Sequence, residues 1–226
     1  VSEYGLIDDG FEPEMPLKTS QYFSVMGVES LPAEYRSPYA TSIKDQNPYG
    51  TCWTFSSAAL MEINAWKKGL ATEADYSEYH IGYTVYNREG VDDPLGNTLG
   101  DYMEAPDLWY ESGGNLLYTS LSLSSWQGVA NESDFPYSDI KGTIAAEDFY
   151  RSEMHLQDSV ALNAKDIEGI KNAIMEYGAV GISYFVTHSP STEKGNTIYN
   201  PQTPSTNHAV TLIGWDDNFS KDNFAT

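Results

Sequence analysis

Cysteine is almost absent. The chain of 226 residues has one, Cys52, so no internal disulfide can form. Secreted proteins of this size usually carry several, which points to a reducing or anaerobic setting, or to a lineage that dispenses with disulfides. Positive charge is also scarce. Twelve Lys and Arg stand against thirty-three Asp and Glu, a formal net charge of -21. Such a surface repels phosphates, which excludes nucleic acid and anionic lipid as partners held by phosphate contacts. No stretch approaches 18 apolar residues, so no membrane span is expected. The start, "VSEYGLIDDGFEPEMPL", lacks a basic region followed by an apolar one. Either the protein is cytosolic or a signal peptide has been removed. There is no Cys-x-x-Cys, no His-x-x-x-His and no glycine-rich phosphate loop, so no metal and no cofactor is assigned. "DDPLGNTLGD" and "DDNFSKDN" gather several oxygens, but neither fits an EF-hand, and both read as solvated acidic loops.

What is abundant is aromatic surface to bury. Seventeen tyrosines and a 13 % aromatic content belong to a globular chain, since disordered ones carry few rings. Residues 1–30, polar and acidic, read as an N-terminal extension, and the proline-rich 31–50 as mostly loop. A helix is expected to begin near Cys52, with Thr51 as its cap and Gly69 as its stop. Further helices are predicted over 76–86 and 115–130, separated by a long acidic loop over 87–107. The second half changes character. A strand is predicted over 159–164, and a helix over 166–178 with Asp166 and Gly178 as caps. Apolar, β-rich runs at 179–186 and 208–215 follow. Helices first and strands later argue for an α+β fold with two segregated halves, and a cleft between such halves suits an active site.

Cys52 then poses the central question. A helix N-terminus stabilises a thiolate through its free amides and dipole and lowers the thiol pKa, yet lone cysteines are usually buried and inert. Three features favour reactivity. Gln46, six residues upstream across a Pro-Gly turn, can fold its amide back so that, with the Cys52 backbone N–H, it forms a two-donor oxyanion hole. His208 opens the apolar stretch "NHAVTLIGW", where a polar ring needs a purpose such as taking and returning a proton. His80, His155 and His188 read as structural or exposed. Gly113-Gly114 supplies bare backbone with which an extended peptide can pair.

The segment "QNPYGTCWTFSSAALME" resembles the active-site stretch of papain-like cysteine peptidases. The resemblance continues through "LPAEYRSPYATSIKDQ", "ESGGN", "DFPYS" and "NHAVTLIGWDD", in order over most of residues 31–217. It implies a two-lobed α+β fold, with a helical left lobe, a β-barrel-like right lobe and the cleft between them. It also implies a thiol endopeptidase acting on protein or peptide substrates. Cys52 resembles the nucleophile, His208 the general base and acid, and Gln46 the oxyanion donor. Gly113 and Gly114 resemble the backbone that pairs with substrate, while Trp53 and Asn207 would belong to the cleft, Trp53 chiefly as packing.

Two departures accompany the resemblance. Tyr49 stands where the family usually has a second cysteine, and Thr51 replaces a small Ser or Ala. The absent disulfides point to bacterial-type members, secreted or at the cell surface with the signal peptide removed. Further, the family's Asn-Ser-Trp-Gly motif, whose asparagine orients the histidine, has no counterpart before the last residues, "DDNFSKDNFAT"; Asn218 and Asn223 lack its context. Residues 31–226 are therefore read as a peptidase domain incomplete at its C-terminus, with 1–30 an extension or propeptide remnant. The competing reading is a catalytically silent papain-like adhesion module on a cell surface. The oligomeric state stays open.

Overall fold

The computed structural model describes residues 31–88, 107–187, 193–201 and 205–225. The expected extension 1–30, most of the acidic loop 87–107 and His188 lie outside the described residues. In chain order the elements are β1 (Glu34–Arg36), α1 (Cys52–Lys67), α2 (Glu78–Tyr86), α3 (Leu116–Ser124), α4 (Ile167–Tyr177), β2 (Val180–Tyr184), β3 (Glu193–Lys194), β4 (Thr197–Ile198), β5 (His208–Leu212) and β6 (Gly214–Asp216). Helices precede most of the strands, as the α+β expectation has it.

Local chemistry sets most helix ends. Ser77 caps α2 by accepting from the His80 amide at 2.9 Å, Asn115 caps α3 from Tyr118 at 2.9 Å, and Asp166 caps α4 from Gly169 at 2.9 Å. Gly178 ends α4 with φ 96°. A side chain there would be doubly excluded, because a Cβ would also lie 2.7 Å from Ile63 Cγ2 of α1.

Three expectations need correction. Thr51 makes no side-chain cap to α1; its hydroxyl lies 2.6 Å from Tyr137 Oη. The helix predicted over 115–130 stops at Ser124, because Trp126 adopts a left-handed φ of 69° and stacks on His155 at 4.3 Å. No strand forms over 159–164: Leu162 alone there reaches a bridge, and none of the six residues is buried, so the apolar run gains no core to pack on.

The described strands form three antiparallel pairs, β1 with β6, β2 with β5 and β3 with β4. The barrel-like closure expected of the second half is not seen among the described residues. The β2–β5 pair runs in register from Val180 opposite Leu212 to Tyr184 opposite His208. Helix α1 lies against β5, where Ser56 Oγ donates to Val210 O at 3.0 Å and Thr211 Oγ1 donates to Ser56 O at 3.2 Å. Small residues on α1 allow this approach. On its other sides α1 packs with α2 and α3, and Asn64 Nδ2 satisfies the Tyr177 carbonyl at the end of α4 at 2.9 Å. All nine residues of α2 are buried. Its Tyr79 stacks on Trp109, while Tyr83 meets that indole edge-on.

Charges are buried in this core. Lys44 Nζ lies 2.8 Å from Glu62 Oε1, 2.8 Å from Glu78 Oε1 and 2.6 Å from Asp75 Oδ1, with Glu62 and Glu78 both about 1 % exposed. Burial acts to lower the Lys44 pKa, but the three carboxylates outweigh it and hold the ammonium above the ordinary lysine range. Burial raises Glu78 to about 7, and its share of one ammonium only partly offsets this. Glu62 also accepts the Tyr76 backbone N–H at 2.9 Å, so the cluster joins the 44–51 loop, α1 and α2. His80, fully buried, faces the Phe149 carbonyl at 3.1 Å; burial lowers its pKa to about 4, so it is a neutral structural histidine.

Lys44→Met is expected to cost about 3–5 kcal/mol in urea unfolding at pH 8, because it strands two buried carboxylates. Glu78 ionises near pH 4.5 when unfolded and only at about 7 when folded. Stability therefore falls as pH rises through that window, and the variant's penalty is smaller at pH 5 than at pH 8. A cost under about 1 kcal/mol with no pH slope would mean that the cluster carries little of the fold.

Candidate active site

The loop before α1 is held from several directions. Gln46 Nε2 donates to the Tyr49 carbonyl at 2.9 Å, and the Tyr49 amide donates to Gln46 O at 3.2 Å, closing the turn. The Gly50 amide donates to Tyr110 O at 2.9 Å. Tyr137 Oη donates to Gln46 O at 2.7 Å. Cys52 follows as the first residue of α1. Its thiol is about 1 % exposed, and burial pushes the pKa up to about 11. The amides of Ala209, Trp53 and Cys52 itself act in the opposite sense. The sequence argument that a helix terminus lowers this pKa therefore holds for the amides but not for the net result: desolvation outweighs them.

Cys52 shares a buried cluster with Ala209, which brings the start of β5 beside the sulfur, since Ala209 directly follows His208. His208 is partly buried, opposite Tyr184 in the β2–β5 register, with the two rings 5.7 Å apart. Cys52 and His208 thus stand at adjoining ends of a helix and a strand, although 156 positions separate them.

The glycine pair lies on the other side of the helix terminus. Gly113 takes φ 83°, and its carbonyl accepts from Tyr86 Oη at 2.7 Å. Gly114 lies directly over Trp53, where a Cβ would sit 2.3 Å from Cε2 of the indole. Trp53 is wholly buried and meets Tyr86 edge-on at 6.0 Å. It is therefore the floor beneath Gly114, in keeping with a packing role. Asn207 is also more engaged than a cleft-wall residue would be. Its Oδ1 accepts the Val186 amide at 2.8 Å, its Nδ2 donates to Val186 O at 2.7 Å, and its own amide donates to Tyr184 O at 3.0 Å. These bonds continue the β2–β5 ladder beyond His208 and fix the backbone that carries the imidazole.

Sequence reasoning missed Tyr137. The motif "DFPYS" drew attention to this stretch, but nothing local indicates that the hydroxyl reaches Gln46 and Thr51, 91 and 86 positions away. Asn218 and Asn223 belong to the turn after β6; the Asn218 amide donates to Asp216 Oδ1 at 2.8 Å, and Asn223 O accepts Thr197 Oγ1 at 2.8 Å.

A cysteine at a helix start, a histidine at the adjoining strand end and a glutamine on the preceding turn define a class. The family model described as papain family cysteine protease matches residues 104–225, which include Gly113, Gly114, Asn207 and His208. The chain belongs to the papain family of cysteine proteases. Among individual proteins, it is 26 % identical to mexicain of Jacaratia mexicana over 176 residues, 77 % of this chain and 72 % of that one. The solved structure of the cysteine protease and lectin-like domains of Cwp84, a surface layer associated protein of Clostridium difficile, is 31 % identical. It aligns with a TM-score of 0.67, covering 86 % of this chain and 41 % of that one. Digestive procathepsin L2 from the Tenebrio molitor larval midgut, at 20 % identity and a TM-score of 0.70 over 95 % of this chain and 64 % of its own, shares the fold. The chain spans less than two thirds of either solved chain.

Gly114→Ala is expected to displace the Trp53 indole, lower stability by about 1–3 kcal/mol and shift tryptophan emission to the red. An unchanged urea midpoint and spectrum would show that the ring has room the packing denies.

Proposed function

We propose that this chain is a thiol endopeptidase in which Cys52 and His208 work as a thiolate–imidazolium pair. The observation that carries the reading is the packing of Cys52 in one buried cluster with Ala209, which sets the strand end bearing His208 beside a buried sulfur. An isolated thiol in that place stays protonated at neutral pH. A neighbouring imidazole that takes the proton supplies the counter-charge burial demands, and both groups become reactive together.

The Cys52 thiolate attacks the carbonyl carbon of a peptide bond. A C–S bond forms as the carbonyl π pair moves onto oxygen, and the Cys52 backbone N–H with the Gln46 amide stabilises that oxyanion. Collapse breaks the C–N bond while the His208 imidazolium protonates the departing nitrogen, leaving a thioester and a neutral imidazole. Water then attacks the thioester as His208 takes its proton. The acid is released and the ion pair restored. Gly113 and Gly114 offer backbone to an extended substrate, with Trp53 beneath and Asn207 steadying the strand of His208. Residues 31–226 belong to the peptidase domain in this reading, with 1–30 outside it. Likeness to a surface layer associated protease supports a location outside the cell or on its surface. A silent adhesion module draws no support, since Cys52, His208 and Gln46 are all retained.

Intact-mass analysis after exposure to an epoxysuccinyl peptide tests the assignment. One adduct on Cys52 is expected, absent in Cys52→Ala and slowed at least about 100-fold in His208→Ala. Gln46→Ala is expected to lower kcat for a fluorogenic peptide amide by about 10²-fold. No adduct and no hydrolysis by the folded chain, while Cys52 labels after unfolding, would contradict the assignment.

A further inference from the structure

We propose that Tyr137 is a positioning residue: its hydroxyl clamps the Gln46–Cys52 turn at both ends and so sets the Gln46 amide relative to the Cys52 sulfur. This rests on the roles proposed above for Gln46 and Cys52. Tyr137 Oη donates to Gln46 O at 2.7 Å and lies 2.6 Å from Thr51 Oγ1. A phenol has a single proton. It is spent on the Gln46 carbonyl, so the Thr51 hydroxyl must be the donor in the second bond. The resulting chain runs from the residue just before the nucleophile, through the phenol, to the residue bearing the oxyanion amide.

The turn's own bonds do not fix it in this way. The contacts between Gln46 and Tyr49 lie within the turn and close it, but say nothing of where it stands against α1. Lys44 ties the start of this loop to α1, and the phenol adds a reference at Gln46 itself, because its ring is fixed to α1. It meets Phe55, in the first turn of the helix, edge-on at 4.8 Å, and Tyr49 at 6.1 Å. The Tyr137 amide is held in turn by Glu132 Oε1 at 2.7 Å. Burial raises the phenol above its ordinary range and Thr51 opposes this only in part, so Tyr137 remains a protonated donor throughout the working pH of a peptidase. Thr51 fits the same account, since its hydroxyl caps nothing. A donor displaced by even an ångström loses most of its effect on an oxyanion, which is why the turn needs a fixed reference.

Tyr137→Phe in the full chain keeps the ring contacts and removes the hydroxyl. With a fluorogenic peptide amide, kcat is expected to fall at least about tenfold while KM stays within about threefold. Alkylation of Cys52 by iodoacetamide, which forms no oxyanion, is expected to be unchanged. In a Gln46→Ala background the same substitution is expected to cost less than about twofold. The proposal is overturned if kcat stays within about twofold of wild type, if hydrolysis and alkylation fall in parallel, or if the loss is equally large without Gln46. Should Tyr137→Phe not fold, Thr51→Val, which removes the donor to the phenol at constant shape, must show a smaller fall in kcat of the same kind; unaltered kcat overturns the clamp. A chain that hydrolyses nothing, or keeps its rate as Cys52→Ala, removes the peptidase reading and the clamp with it. Activity that needs Gln46 but not Tyr137 removes the clamp alone.

Discussion

A thiol excluded from water cannot ionise unless something charged or strongly dipolar stands beside it, and that constraint organises this protein. Cys52 is almost fully buried at the start of α1, where desolvation raises its pKa to about 11 despite three backbone amides acting the other way. The amides belong to the helix terminus and to Ala209. The compensation still lacking must come from a full charge. His208, immediately before Ala209, is the group that the β2–β5 register brings to that place. Burial and reactivity thus depend on one another, because low dielectric raises the cost of an isolated thiolate and deepens the attraction between a thiolate and an imidazolium.

The rest of the fold serves the junction between α1 and β5. Hydrogen bonds from Ser56 and Thr211 seat the helix on the strand, and Asn207 extends the strand's ladder beyond His208. Behind the helix, Lys44 collects three carboxylates and ties the loop bearing Gln46 to α1 and α2. Tyr137 joins that loop to the helix terminus from another side. Each device spans elements far apart in sequence. The catalytic reading therefore requires the tertiary fold as a whole, not a preformed local motif.

That distinction explains what could be read in advance. The caps of α4, Asp166 and Gly178, act within a few residues and were legible in the sequence, as were the start of α1 at Cys52 and the two β-rich runs. Cys52, Gln46 and His208 could be named because a reactive thiol, an amide and an imidazole have few uses together. Non-local effects escaped. The helix of 115–130 is cut short where Trp126 stacks on His155. Thr51 turns away from the helix it would cap because a tyrosine arrives from residue 137. Glu62 and Glu78 would pass for solvent-facing acids, and it is Lys44, 18 and 34 positions away, that supplies the charge their burial needs. The opposing weights of desolvation and helix amides at Cys52 depend on how deeply the fold closes over the sulfur, which no local pattern encodes.

The most direct measurement is the pH dependence of Cys52 alkylation by iodoacetamide in the native chain and in His208→Ala. Dependence on the imidazole predicts that wild type reacts down into the acid range, with an inflection well below the ordinary thiol value of 9.0, whereas the variant follows one titration displaced toward about 11. Superimposable curves would show that His208 does not govern the charge on Cys52, and the ion-pair account would be wrong.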